Sequence, residues 1–490
     1  MGKPKQYIEP VKNLILVVLF FTTMLLLYFF WGNPVLNSFK ISDLIGDEAV
    51  EVPSYQSVTQ PGRIVVHLGG GSYTVLEEED FNAWQKYIEL LQGLNPAEVL
   101  SVEEITAEQF DKIMEFRSIV YRFYYDLPQE AFLKRYSIKD IHGIDQIGEF
   151  SNFGFSSGSP ESLFIYDGSK NKYYRIVSAK AHEEMDKLLS LVESSSNANY
   201  RRIGDLTGTA NRTVIPIFLS TNMSELKCFP EFEDLNTIAV KEFAQTFFGE
   251  SLDFVRQIHG SKGTHIYMYG YGEKVLTISA SGKVEYKNKE TSQSSQQSYF
   301  EALDTALQFV AAHGGWQTEE GMEMSPYVRF AKAVENNKQK GYRIIFGMRL
   351  RPESLYLESS HSVMVEVIHG QVTQYLRDMV YVEEPEYLKQ EVTAKREAFS
   401  VINMIAHNYT YIASVLSESG YDFSGLEGEA LFDAVSDLVV FVKAGYVKPE
   451  YAENKENVLF PAWIVNTGST LIYFDLYSAE PLGHTDLWEE

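Results

Sequence analysis

Hydrophobic positions along this chain fall into three patterns, and each predicts a different element. The first is a continuous apolar run from Leu14 to Trp31, LILVVLFFTTMLLLYFFW, interrupted only by Thr22 and Thr23. Eighteen residues at about 1.5 Å each reach roughly 27 Å, close to the hydrocarbon thickness of a bilayer. The run therefore predicts a transmembrane helix, with Tyr28 and Trp31 at the headgroup layer. Lys3, Lys5 and Lys12 precede it, whereas Lys40 and then the acidic series Asp43, Asp47, Glu48 and Glu51 follow. That asymmetry predicts a cytoplasmic N-terminus (1–13) and an extracytoplasmic remainder at the cell membrane. A cleaved signal peptide is the competing reading. Its apolar region is shorter and ends in small residues, unlike Trp31-Gly32-Asn33-Pro34.

The second pattern is period-two alternation, the third helical spacing, and from residue 61 onward they take turns. RIVVHLGGGSYTVL (63–76) predicts a hairpin around Gly69-Gly70-Gly71. Residues 79–93 place Phe81, Trp84, Ile88 and Leu91 on one helical face, and a second helix is expected at 107–116. Strand 116–128, a hairpin at 162–178 turning at Asp167-Gly168, and a helix at 180–193 complete a first α+β unit, 61–195. A central unit, 205–315, reads as helix 237–249, strands 252–258, 264–270, 273–279 and 283–287, then helix 299–312 with Ala302, Ala306 and Phe309 in phase. A C-terminal unit, 316–490, reads as strands 326–335, 342–350, 354–359, 362–369 and 371–382, a long helix over 391–417, and terminal hairpins. Pro34, Pro53 and Pro61 mark 32–60 as a stalk or linker. The fold class is α+β: curved antiparallel sheets, each packed by helices, behind one membrane helix.

Charge and composition narrow the function. The formal charge is −25, which argues against nucleic-acid partners and against a basic lipid-binding face. Cys228 is the only cysteine, so neither an internal disulfide nor a multi-thiolate zinc site can form. An exported protein without disulfides points to a Gram-positive bacterium. The sequons at Asn211, Asn222 and Asn408 are read as chance matches.

Catalytic motifs are present only in fragments. Gly154-Phe-Ser156-Ser-Gly158 matches the nucleophile-elbow pattern, but no helix is predicted after it. Ser169–Lys172 and Ser224–Lys227 match Ser-x-x-Lys without the partner motifs of that chemistry. His182-Glu183-Glu184 lies on a charged helix. His259 and His265 flank a Gly-rich turn, where they are turn residues or metal ligands. The acidic clusters Glu78-Glu79-Asp80 and Glu319-Glu320 lack calcium-loop spacing. No nucleophile, base and oxyanion donor assemble, so no enzyme activity, cofactor or metal is expected.

The segments Phe247-Phe248-Gly249, Leu252-Asp253-Phe254-Val255-Arg256, Tyr267-Met268-Tyr269-Gly270 and Gly282-Lys283-Val284-Glu285-Tyr286 resemble the helix-then-meander unit of the YycH family. Leu459-Phe460-Pro461-Ala462-Trp463-Ile464-Val465 is similar to the closing segment of YycH and its sister YycI. Together with the N-terminal membrane helix, the resemblance extends over essentially the whole chain. It implies an extracytoplasmic, membrane-anchored regulator of the WalK/WalR (YycG/YycF) two-component system of low-GC Gram-positive bacteria. It also implies action on cell-wall homeostasis, with no catalytic residues. The implied partners are a WalK-type sensor histidine kinase and a YycI-like membrane protein. The bilayer is contacted through one helix only.

On that reading the candidate anchor and partner interface is Leu14, Val18, Phe21, Thr22, Thr23, Leu25, Tyr28 and Trp31. The two threonine hydroxyls either bond a neighbouring helix, for about 1 kcal/mol or less, or satisfy their own helix carbonyls. Two alternatives are a tethered extracytoplasmic binding or chaperone module, and a wall-polymer hydrolase built on a carboxylate pair in a cleft.

Overall fold

The first hairpin, Arg63–Gly69 with Ser72–Leu76, forms as expected, with Ile64, Val66 and Leu76 in the main core and Val65 packed with Tyr73 and Val214 in a smaller cluster. In the computed structural model the described residues are 52–76, 82–94, 99–139, 141–178, 182–195, 199–232, 237–249, 252–260, 263–289, 297–316, 321–336, 339–350, 355–358, 362–383, 395–448 and 457–487. The expected membrane helix, with Leu14, Val18, Phe21, Thr22, Thr23, Leu25, Tyr28 and Trp31, lies outside them. Among the described residues, no helix is long and apolar enough to cross a membrane.

That hairpin sits inside a nine-stranded sheet with the order 99–105, 172–178, 162–167, 149–156, 118–128, 63–69, 72–76, 200–202, 214–216. Helix Ala83–Gly93 covers one face, burying Trp84, Tyr87, Ile88 and Leu91. The Trp84 ring meets Phe123 at 5.2 Å and Tyr121 and Phe153 at 5.5 Å, and Tyr121 donates to the Ala83 carbonyl at 2.9 Å. Truncating such a ring to alanine costs about 3–5 kcal/mol. The last part of the segment read as a stalk belongs to this body. Tyr55–Val58 is a short helix whose Tyr55 ring stacks edge-on with Tyr136 and Phe300.

The strands expected of the central and C-terminal units are hydrogen-bonded into one fifteen-stranded sheet. The meander Arg256–His259, His265–Tyr269, Lys274–Ile278 and Val284–Asn288 joins it where Val284–Asn288 pairs with Gln371–Arg377. A long hairpin, Met324–Asn336 with Gln339–Leu350, and the terminal strands Phe441–Val447, Val458–Asn466, Thr470–Asp475 and Pro481–Asp486 continue it. The pairings are antiparallel except that of Leu355–Glu358 with Phe441–Val447. Both sheets belong to one compact unit, Val52–Glu490.

Helix Tyr299–Ala312 packs on this sheet through Leu303, Ala306, Leu307 and Val310, in the phase expected. It starts at a capping box: the Ser298 hydroxyl accepts from the Glu301 amide, and Glu301 accepts from the Ser298 amide at 2.8 Å. It ends on a buried clamp. Arg377 donates to both Glu231 oxygens at 2.6 Å and to the carbonyls of Gly314 (3.0 Å) and Gly315 (2.8 Å). Gly314 has φ +103°, and a Cβ there would come within 3.0 Å of the guanidinium. Only glycine admits that approach.

The last long helix differs from expectation. It runs Val401–Glu418 and begins ten residues after the predicted start at 391. The amides of Ala398 and Phe399 are taken by the carbonyls of Leu219 and Leu476, so tertiary hydrogen bonds hold this stretch out of the helix. A further helix, Gly428–Asp437, was not expected from the pattern. The carbonyls of Ser436, in its last turn, and of Val439, just beyond its end, accept from Asn211 Nδ2 at 2.7 and 2.9 Å. Asn408 Nδ2 is likewise committed, to Met404 and Ala479, so two of the three sequon amides, Asn211 and Asn408, serve the fold.

Candidate functional site

Each motif fragment meets its structural context here. Ser156 ends strand Glu149–Ser156, and a turn and then strand Ser162–Asp167 follow, where an elbow needs a helix. Its buried hydroxyl donates to the Ile113 carbonyl at 2.5 Å and accepts from Gly158, so it faces the fold. Ser169 donates back to Asp167 at 2.7 Å within the turn, and Lys172 pairs with Glu104 at 2.7 Å. Lys227 pairs with Glu383. Neither Ser-x-x-Lys lysine is turned to its serine.

His259 and His265 are direct cross-strand partners, and their Nδ1 atoms are 3.1 Å apart. One ring donates and the other accepts, so the pair holds a single proton between these atoms. Burial, and then the His259 charge, hold His265 below the ordinary histidine pKa. Among the described residues no group of three or more His, Cys, Asp or Glu could hold a metal ion. The acidic clusters at 78–80 and 319–320, and the side chains of His182, Glu183 and Glu184, lie outside the described set.

One concavity is lined by residues that no sequence motif marked. An open cleft of about 670 Å³ runs between strand Ser118–Pro128 of the first sheet, the long hairpin, and the terminal strands of the second sheet. Tyr125, Tyr299, Tyr327 and Phe441 give it an aromatic floor, and Arg329, Lys332 and Lys443 bring positive charge. Lys443 lies over the Tyr327 ring at 5.7 Å, with Arg349 over the same ring at 4.8 Å. Two carboxylates, Asp126 and Glu149, line the cleft as well. Burial pushes the Glu149 carboxyl up, and the charges of Asp126 and Asp167 add to that push. This pair is the feature on which a hydrolase reading can draw.

A smaller pocket of about 240 Å³ shares Phe123, Asp126, Val440 and Phe441 with the cleft. Its floor is a row read straight across four strands: Arg63 opposite Arg122, Arg122 opposite Asn152, Asn152 opposite Tyr166. Arg63 is only 7% exposed; one of its nitrogens donates to the Val214 carbonyl, and its Nη1 is buried with no hydrogen-bond partner among the described residues. Asp126 accepts from Ser151, whose hydroxyl also accepts from the Gly168 amide at 2.7 Å. A Cβ on Gly168 would come within 2.5 Å of that hydroxyl and 2.8 Å of Asp126 Oδ1, so glycine alone fits. Period-two alternation places Arg63 and Arg122 in strands, but their opposition depends on a register that the sequence does not display.

No family profile matches the chain, and no curated protein matches it. Among solved structures, the crystal structure of YycH from Bacillus subtilis superposes with a TM-score of 0.50 at 12% identity, covering 86% of this chain and 97% of that one. The Bacillus megaterium YpeB C-terminal domain matches at a TM-score of 0.26 and 10% identity, over 52% of this chain and 99% of that one. The chain therefore has an α+β architecture with a fold like that of YycH, and the relation is one of fold.

Proposed function

We propose that this chain is a non-enzymatic regulatory partner of a membrane sensor histidine kinase of the WalK type, acting on cell-wall metabolism together with a YycI-like partner. Its N-terminus is cytoplasmic, its membrane segment is Leu14–Trp31, and the body from Val52 onward is extracytoplasmic. The supporting observation is the YycH-like fold over 86% of the chain, joined to an N-terminal apolar run long enough to span a bilayer. A lone helix biases a kinase by packing differently against its two states, and the body positions that helix or receives a signal for it. In the full-length chain, photo-crosslinkers at Val18, Thr22 and Leu25 should capture the kinase's membrane helices. Capture through the body alone, with none from these positions, would contradict the mechanism.

A second reading, a tethered binding module, is favoured by the cleft and its side pocket. It predicts that an unrelated apolar helix in place of Leu14–Trp31 leaves function intact. The carboxylate pair gives the hydrolase reading a direct check: Glu149→Gln should leave regulation unchanged if the protein is not an enzyme.

A further inference from the structure

Arg63 and Arg122 stand directly opposite one another on neighbouring antiparallel strands. Opposed Cβ atoms in such a pair lie about 4.5–5.5 Å apart, and like charges there are destabilising. Burial of Arg63 sharpens the cost, because a guanidinium brings five N–H donors and among the described residues this one places a single bond, to Val214. Anchoring the Val214 carbonyl accounts for one nitrogen and leaves Nη1 unexplained. The next residue in the row, Asn152, adds an amide, and Tyr166 adds a phenol. Asp126 lines the same pocket but accepts from Ser151 through Oδ1.

In a chain of formal charge −25, the pocket and the cleft together gather Arg63, Arg122, Arg329, Lys332 and Lys443 against Asp126 and Glu149. We infer that the row Arg63–Arg122–Asn152 is a receptor for an oxyanion, a carboxylate or phosphate group, whose remaining body extends past Phe123 and Phe441 into the wider cleft. An oxyanion between two guanidinium forks turns their repulsion into charge-assisted hydrogen bonds. The inference does not depend on the kinase reading.

The test uses the full-length protein in detergent micelles, with inorganic phosphate titrated against chloride at matched ionic strength. Phosphate should bind at one site by calorimetry and raise the unfolding temperature. Arg122→Gln and Arg63→Met should each weaken that binding at least about tenfold, as loss of a charge-assisted bond implies. Asn152→Ala should weaken it less. If Arg63→Met does not fold, the half-buried Arg122 position decides. Phenyl phosphate should bind more tightly than inorganic phosphate, and equal affinities would remove the wider cleft from the site. Absence of a phosphate-specific shift, or wild-type affinity in folded Arg122→Gln, would overturn the proposal.

Discussion

Arg377 and Arg63 are both buried in sheet strands, at 0% and 7% exposure, yet their surroundings are opposite. Arg377 spends its fork on both Glu231 oxygens and on two glycine carbonyls that close helix Tyr299–Ala312. Burial works against its charge, but Tyr375 and Glu231 outweigh it and hold its pKa above the ordinary arginine value. Burial likewise pushes the adjoining Tyr375 hydroxyl up to about 12. Arg63 has one backbone carbonyl and another arginine across from it. A guanidinium that the fold satisfies is a structural clamp. One that the fold leaves short of acceptors is a place to look for a ligand.

The comparison breaks most visibly at the clamp. Arg377→Met should cost about 3–5 kcal/mol in urea denaturation, because it strands the Glu231 carboxylate. Adding Glu231→Leu to that variant should recover a large part of the loss. If the single variant proves neutral, Arg377 is not the clamp described. Arg63→Met carries the opposite sign. Without an added oxyanion it should leave stability unchanged or raise it by about 1 kcal/mol, since it removes a buried charge that has no carboxylate partner among the described residues. A loss comparable to that of Arg377→Met would make the two arginines equivalent.

The other end of the clamped helix gives a smaller effect. Ser298→Ala removes the capping-box hydroxyl and should cost about 1 kcal/mol by the same measurement. The smallest effect is a pH slope beside the clamp. His313 stacks on Phe309 at 3.9 Å, and burial holds its pKa below the ordinary 6.5, against the opposing pull of the Phe309 and Thr246 carbonyls. The unfolded chain then takes up the proton first, so the His313 contribution is complete above about pH 6.5 and is lost as pH falls. The urea midpoint should decline from pH 7.5 to 5, and His313→Phe should flatten part of that decline. His67 and His265 shift in the same direction and leave the remainder.

Elements set by local periodicity were legible before the structure. Hairpin 63–76 and helix 299–312 fall where the alternation and the Ala302/Ala306/Phe309 spacing put them. Features set by distant partners were not. Helix Val401–Glu418 starts late because Leu219 and Leu476 take the amides that a longer helix would use. Helix Gly428–Asp437 is closed by Asn211, far away in the chain. The arginine row needs the register of four strands, which the alternation of each strand leaves undetermined. The candidate anchor shows in the unbroken apolar run Leu14–Trp31 itself, which needs no distant partner to be legible.

On the proposed function, regulatory activity resides in the membrane helix, held by a YycH-like body. The most direct measurement is autophosphorylation of the cognate kinase in membranes containing the full-length chain or a version with Leu14–Trp31 replaced by an unrelated apolar helix. The replacement should abolish the change in autophosphorylation while the body stays folded and at the membrane. An unaltered effect on the kinase after the replacement would contradict it.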